Sequence, residues 1–247
     1  MKIDGFDIKN QYGVYPTSDM EYAILPELRQ YMQELNTSGS VYYGTVHGVR
    51  SFSIPCFILG SDYMEKIDQF KRLFLDENGD QKEVYIEFDA WSNRRLKVFL
   101  QSTISITKRS HNAAEFEFSI TAASPYYESA NSIEKYFDAL SLPQEIPIEY
   151  YGTKSTGFTI TVSGTAGSFT IKTVQKDGSE STFSYDSSSH DTYMTIDFIN
   201  FTIDDNGSNG LMNSSGDFLQ LNINTSKVVI DGDVSGSLNL SYRERYV

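Results

Sequence analysis

The chain has 247 residues, a formal net charge of −13 and a sequence pI near 4.6, and 39% of it is hydrophobic, including 17 Tyr, 16 Phe and one Trp. An aromatic share of 14% argues against a disordered chain, and so acidic a surface argues against specific nucleic-acid binding or attraction to anionic membranes, because phosphates repel it. No apolar run approaches the ~20 residues that span a bilayer, so no membrane insertion is expected; no signal peptide is visible, and a lone Cys56 excludes a disulfide framework within one chain.

The predicted elements divide at about residue 130. Residues 1–130 hold 13 basic and 18 acidic groups, a balance of −5. Glu27–Leu35 is a helix candidate here. The apolar run SFSIPCFILG follows, and inside it Cys56 reads as a small buried hydrophobe whose thiol pKa is raised. From Asp62 to Leu75, Ile67, Phe70 and Phe74 recur at helical spacing with Met64 and Leu73 beside them; Ser61 or Asp62 can cap the first turn, and Glu77-Asn78-Gly79-Asp80 ends the element. Tyr85–Phe88 is a short strand before Trp91. Leu96, Val98 and Leu100 alternate with polar neighbours, as do Phe116, Phe118 and Ile120, and Ser110–Ala114 is a hairpin turn.

Residues 131–146 read as a linker, within a stretch that holds Pro143 and Pro147. Residues 147–247 are rich in Ser, Thr, Gly and Asn, and all of their periodicity is that of strands. Phe158, Ile160 and Val162 alternate with polar residues, and so do Leu219, Leu221 and Ile223, and Leu238, Leu240 and Tyr242. Met194, Ile196 and Phe198 hold one parity and Ile199, Phe201 and Ile203 the other, which marks a β-bulge in one long strand or two strands meeting at a bend. Seven or eight short strands between Gly, Asn and Asp turns predict a jelly-roll or Greek-key sandwich.

Little in the sequence assembles into chemistry. His47, His111 and His190 lie far apart, and the His190-Asp191 neighbours point to opposite faces of a strand. Asp204–Gly210 has the composition of a Ca²⁺ loop but fails the EF-hand pattern, with Asn209 where glycine is required and no closing glutamate; it reads as an edge turn, as does Asp231-Gly232-Asp233. Sequons at Asn36, Asn206, Asn213 and Asn224 matter only in a secretory setting. Glu87 and Asp89 beside Trp91 are a chance pair in an acidic chain rather than a glycosidase dyad, and no nucleophile-elbow, phosphate-loop, dinucleotide or zincin motif occurs. No catalytic, cofactor-binding or metal-binding residue is assigned, and no enzymatic activity is expected. Tyr150, Tyr151, Tyr185, Tyr193 and Tyr242 leave open a carbohydrate-binding adhesin, a role in which exposed rings stack on sugars.

The order of signals in the first 130 residues resembles the distal tail protein of siphophages. It runs from the opening MKIDGFDIKNQYGVYP, through the strand SFSIPCFILG, the helix DYMEKIDQFKRLF and the strand–turn–strand VYIEFDAWSNRRLKVFL, to AEFEFSITAASPYYES with its Pro125-Tyr126 signature; the terminal LNLSYRERYV is also similar. Ala123-Ser124 stands where the family often has a small residue and Asp. The resemblance implies a mainly β chain: an N-terminal β-sandwich or barrel domain with one α-helix that forms a hexameric ring, single or stacked, and a C-terminal galectin-like β-sandwich. It implies a structural component of the virion tail tip, made in the host cytoplasm. The expected partners are the tail-tube protein, the tape-measure protein and a tail-associated lysin, adhesin or receptor-binding protein, with DNA passing through the lumen.

Overall fold

A computed structural model of the chain describes residues 1–17, 26, 28–34, 40–101, 104–122 and 124–247. It is mainly β and divides into two compact units, Met1–Ala130 with Val247, and Asn131–Tyr246.

The first unit opens with β1 (Lys2–Ile3) and β2 (Phe6–Asp7). Asp7 then caps a single-turn helix, α1 (Ile8–Tyr12), its carboxylate accepting from the Lys9 and Asn10 amides at 3.0 and 3.3 Å, and Gly13 closes the helix in the left-handed region. Next come β3 (Val14–Pro16), β4 (Leu28–Glu34), β5 (Ser40–His47), β6 (Arg50–Leu59), α2 (Tyr63–Lys71), which runs on into a 3₁₀ turn at Arg72–Phe74, β7 (Val84–Glu87), β8 (Arg94–Leu100), β9 (Ser105–Ser110), β10 (Ala113–Ala122) and β11 (Tyr127–Ser129). The sheet runs β2-β1-β7-β8-β10-β6-β3. β10 pairs with β6 along its whole length and shares its other edge between β9 and β8. Alternation along β6 and β10 puts Phe52, Ile54, Cys56 and Ile58 on the same buried side as Phe116, Phe118 and Ile120.

α2 covers that side. Phe70 lies 5.9 and 5.2 Å from Phe116 and Phe118, ring to ring, and Phe74 lies 5.8 Å from Phe118. The predicted apolar face is therefore the buried one, except that Met64 in the first turn is exposed. The capping expectation fails: Asp62 stands at the N-cap without a side-chain bond to the helix, because Lys66 one turn later draws its carboxylate into an ion pair at 3.0 Å. Burial takes the Cys56 thiol up to about 12, in keeping with a core hydrophobe.

Residues 131–146, expected as a linker, instead contain β12 (Ile133–Phe137) and β13 (Gln144–Pro147) of the second unit. Ile133 and Phe137 pack on the core and Ile146 is fully buried, a pattern that the intervening prolines interrupt in sequence but not in space. There follow β14 (Phe158–Gln175), β15 (Glu180–Tyr185), β16 (His190–Asp197), β17 (Thr202–Asp205), β18 (Ser208–Asn209), β19 (Ser214–Gly216), β20 (Thr225–Tyr242) and β21 (Arg245–Tyr246). β14 and β20 are 18 residues each and pair with one another throughout, with a register shift between Ala166 and Phe169. Beyond them the sheet splits. β12 and β13 divide the outer edge of β20, while β16 and β15 divide that of β14. Two long bent strands thus serve both halves, which enclose one core from Ile146 to Tyr242.

The parity switch after Phe198 is a turn between two strands: Asp197 accepts from the Ile199 and Asn200 amides, Phe201 has φ 58°, and Ile196 pairs with Ile203. Leu219–Ile223, expected as a strand, makes only an isolated bridge at Leu221, because Leu219 and Leu221 turn into the core while Ile223 is exposed. No helix among the described residues is long and apolar enough to cross a membrane.

Candidate functional site

β4 and β5 form a two-stranded sheet of their own, apart from the large sheet. The helix candidate Glu27–Leu35 is a strand over its described residues, Leu28–Glu34, and the partner sequence decides this. Ser40-Val41-Tyr42-Tyr43-Gly44-Thr45-Val46-His47 is rich in β-branched and aromatic residues, and its ladder captures β4 in the register Leu28↔His47 to Glu34↔Ser40. The register shifts between Tyr31 and Met32, opposite Tyr43 and Gly44, and Gly44 takes φ 137°, a conformation that side chains rarely adopt.

This hairpin has no buried face among its described residues. Leu28, Tyr31, Met32, Val41, Tyr42, Tyr43 and Val46 are all exposed, Met32 at 57% and Tyr43 at 67%. Two of its polar contacts are local: Tyr43 donates to Gln33 Oε1 at 2.7 Å, and Tyr42 bonds Thr45. A lone two-stranded ribbon is marginal in water, and apolar side chains on both of its faces are the mark of a surface meant to be covered.

The root of the ribbon is tied firmly. Arg50, at the start of β6, is 1% exposed; its Nε donates to the Pro125 carbonyl at 2.7 Å and its guanidinium lies 4.9 Å from the Tyr127 ring centre. Burial lowers its pKa from the usual arginine value, and the Tyr127 hydroxyl pulls it back up. The His47 ring meets Tyr126 edge-on at 5.7 Å, and Tyr127 meets Trp91 at 5.5 Å. Arg95 bonds Glu128 at 3.2 Å while covering Tyr85 at 3.7 Å. The Pro125-Tyr126 signature is thus the clasp between the base of the hairpin and the closing segment of the first unit; Ala123 lies outside the described residues, as does the Asn36 sequon.

The remaining sequence candidates are not brought into one site. Glu87 pairs with Lys2 at 3.7 Å, and Asp89 lies 2.6 Å from the Met1 amino nitrogen. Of the five tyrosines, Tyr150, Tyr185 and Tyr242 are buried, and Tyr151 and Tyr193 exposed. Asp204–Gly210 forms the β17–β18 hairpin, with Asn206 and Gly207 at positive φ. Among the described residues, no group of three His, Cys, Asp or Glu is placed to hold a metal.

One cluster had no sequence signal, because its members come from three strands. Asp205 accepts from Thr192 at 2.6 Å, Tyr185 at 2.8 Å and His190 Nε2 at 3.0 Å, while His190 Nδ1 lies 2.7 Å from the Ser188 carbonyl. That carbonyl and then Asp205 raise the His190 pKa. Burial pushes the Asp205 carboxyl upward, but its three donors together outweigh this and leave it below the usual carboxylate range. The cluster ties the Ser187–Ser189 loop to β17.

No family model and no curated protein matches the chain. Solved structures do. The crystal structure of the Dit protein of phage SPP1, described as a paradigm of the hub adsorption apparatus in phages infecting Gram-positive hosts, superposes with a TM-score of 0.73 at 11% identity, covering 99% of this chain and 98% of that one. Chains of the phage P2 baseplate in its activated conformation, with Ca and with Sr, match with TM-scores of 0.52 at 9% and 8% identity, covering 97% of this chain and 92% of theirs. At such identities the likeness is one of fold, and it runs through both units.

Proposed function

We propose that this chain is a structural hub of a phage tail tip. Six copies close a ring, single or stacked, through the first unit. The ring joins the tail tube to the host-adsorption apparatus, and DNA passes through its lumen. The observation that carries this reading is the full-length likeness to a phage hub protein, since both units, and not one common domain, are matched. Two features support it. The β4–β5 ribbon offers apolar side chains on both faces, which a neighbouring copy would cover. The net charge of −13 suits a conduit that must not grip phosphate.

In this reading the tail-tube and tape-measure proteins meet the ring, and the second unit, a galectin-like sandwich, faces outward and carries a lysin, adhesin or receptor-binding protein. The protein is synthesised in the host cytoplasm, acts in the virion and catalyses no reaction. Light scattering behind a sizing column tests it. A particle of six or twelve times 27.9 kDa is the expected result. A mass that stays at one copy, both alone and after mixing with purified tail tubes, overturns it.

A further inference from the structure

Residues 177–226 carry eight Asp and Glu and no Lys or Arg. They build β15 to β19 and the turns between them, so this part of the second unit has fixed charge of one sign. The two lysines of the adjoining end of β14 are already engaged, Lys172 with Glu180 at 3.0 Å and Lys176 with the Ile223 carbonyl at 2.8 Å. Between the β17–β18 hairpin and the 3₁₀ turn Leu211–Asn213 lies a groove of about 270 Å³, lined by Thr202, Ile203, Asp204, Ser208, Asn209 and Leu211.

Apolar side chains stand beside this groove instead of folding away. Phe201 precedes its first lining residue and is 52% exposed; Met212 follows its last and is 92% exposed. The Phe201 backbone is strained, with a φ of 58° that bulky side chains rarely adopt. Asp197 fixes the turn that imposes it, accepting from the Ile199 and Asn200 amides at 2.7 and 3.1 Å and from the Asn200 side chain at 2.7 Å. Phe218, itself packed on the core, lies 5.0 Å from the Phe201 ring and supports it. Asp197, Asp204 and Asp217, the last next to Phe218, have no lysine or arginine partner among the described residues. A phosphate polymer is repelled here, and a purely apolar segment would strip water from carboxylates without pairing them. A segment with lysines or arginines around an apolar anchor meets both demands, and an arginine can also lie over the Phe201 ring.

We propose that this face docks a partner protein through a cationic segment. An aromatic or aliphatic anchor of that segment enters the groove against Phe201 and Met212, while its lysines or arginines pair with Asp204 and Asp217. The proposal deepens the hub reading, and the partner's identity as a tail component rests on that reading. The test is calorimetric titration of the whole protein with a short synthetic peptide that carries lysines and arginines around a central tryptophan. Two control peptides replace the cations by glutamate or the tryptophan by serine. The first peptide is expected to bind, and each control to bind at least about tenfold more weakly. Phe201→Asn, a residue that tolerates the left-handed conformation, and Met212→Ser are each expected to weaken binding of the first peptide about tenfold. Asp204→Asn with Asp217→Asn is expected to weaken it and to flatten its dependence on salt; asparagine keeps the acceptor for the Gly207 amide, 2.6 Å away. Glu134→Gln with Asp138→Asn, the same charge change at the β12 edge of the sheet, is expected to leave affinity within about twofold. Circular dichroism shows that each variant is folded. Absence of binding overturns the proposal, as does binding that survives loss of the tryptophan or of Phe201 and Met212, or that falls equally with the Glu134 and Asp138 pair. The ring is judged by particle mass and this face by single copies, so rings that bind no peptide overturn the proposal and leave the hub reading intact.

Discussion

At the scale of single residues, Phe70 holds the first unit together. Fully buried, it touches the rings of Phe74, Phe116 and Phe118 and, edge-on at 6.4 Å, Tyr12. Phe70→Ala should cost ~3–5 kcal/mol of stability in a denaturant melt, whereas Met64→Ala, at an exposed position, should stay within about 0.5 kcal/mol. His190 gives a test by pH. Both ring nitrogens face acceptors, so only the imidazolium donates to Ser188 and Asp205 together. Its folded pKa is raised, so the contribution is complete below the unfolded value of about 6.5 and is lost as pH climbs through the folded value. Asp205, held low, contributes above the ordinary carboxylate range and is lost as pH falls through its folded value. The melting temperature of His190→Ala should therefore lie below that of the native chain at about pH 6 and converge on it at about pH 9. Phe70 was legible from its helical spacing. The His190 cluster was not, because its three donors lie 13 to 20 positions from Asp205 along the chain and meet it only when β15, β16 and β17 come together.

At the scale of elements, the bend shared by β14 and β20 is built from glycine. Gly164 faces Gly236 across the ladder, with φ 155° and 101°. A Cβ on Gly236 would stand 2.3 Å from the Ser163 carbonyl oxygen, and one on Gly164 2.2 Å from that of Ser235. Gly236→Ala should destabilise by about 1–3 kcal/mol or more, and Gly178→Ala, in an open turn, by less; thermal melts of the two side by side decide it. The β4–β5 ribbon behaves differently. Tyr43→Ser combined with Val46→Ser removes side chains that touch water already, so the stability of a single copy should move by no more than about 0.5 kcal/mol while self-association falls, as sedimentation would show. The sequence offered a helix at Glu27–Leu35 because local propensity is a weak guide when a strand-forming partner lies six residues downstream. The 18-residue strands were seen only in pieces, since their bends break the alternation that marks a strand.

At the scale of the whole molecule, charge and apolar surface pull against each other. Copies with a net charge of −13 repel, and the repulsion is screened over ~10 Å at 0.1 M salt. If apolar ribbons make the contacts, raising salt from about 0.02 to about 0.5 M should strengthen association; association that weakens instead would assign the contacts to ion pairs. The sequence by itself determined the mainly β composition, the packed face of α2, the inert Cys56, the β9–β10 hairpin and the ordered series of segments that resembles a tail hub. These depend on periodicity within a dozen residues, which a sequence displays directly. Tertiary structure alone decided that residues 131–146 join the second sheet, that β4 is a strand, that three of five tyrosines are buried, and that Phe201 and Met212 stand beside one groove. Each of these depends on which strand lies beside which, and pairing across a hundred residues is fixed by the burial of whole sheets, for which no short stretch of sequence holds the code.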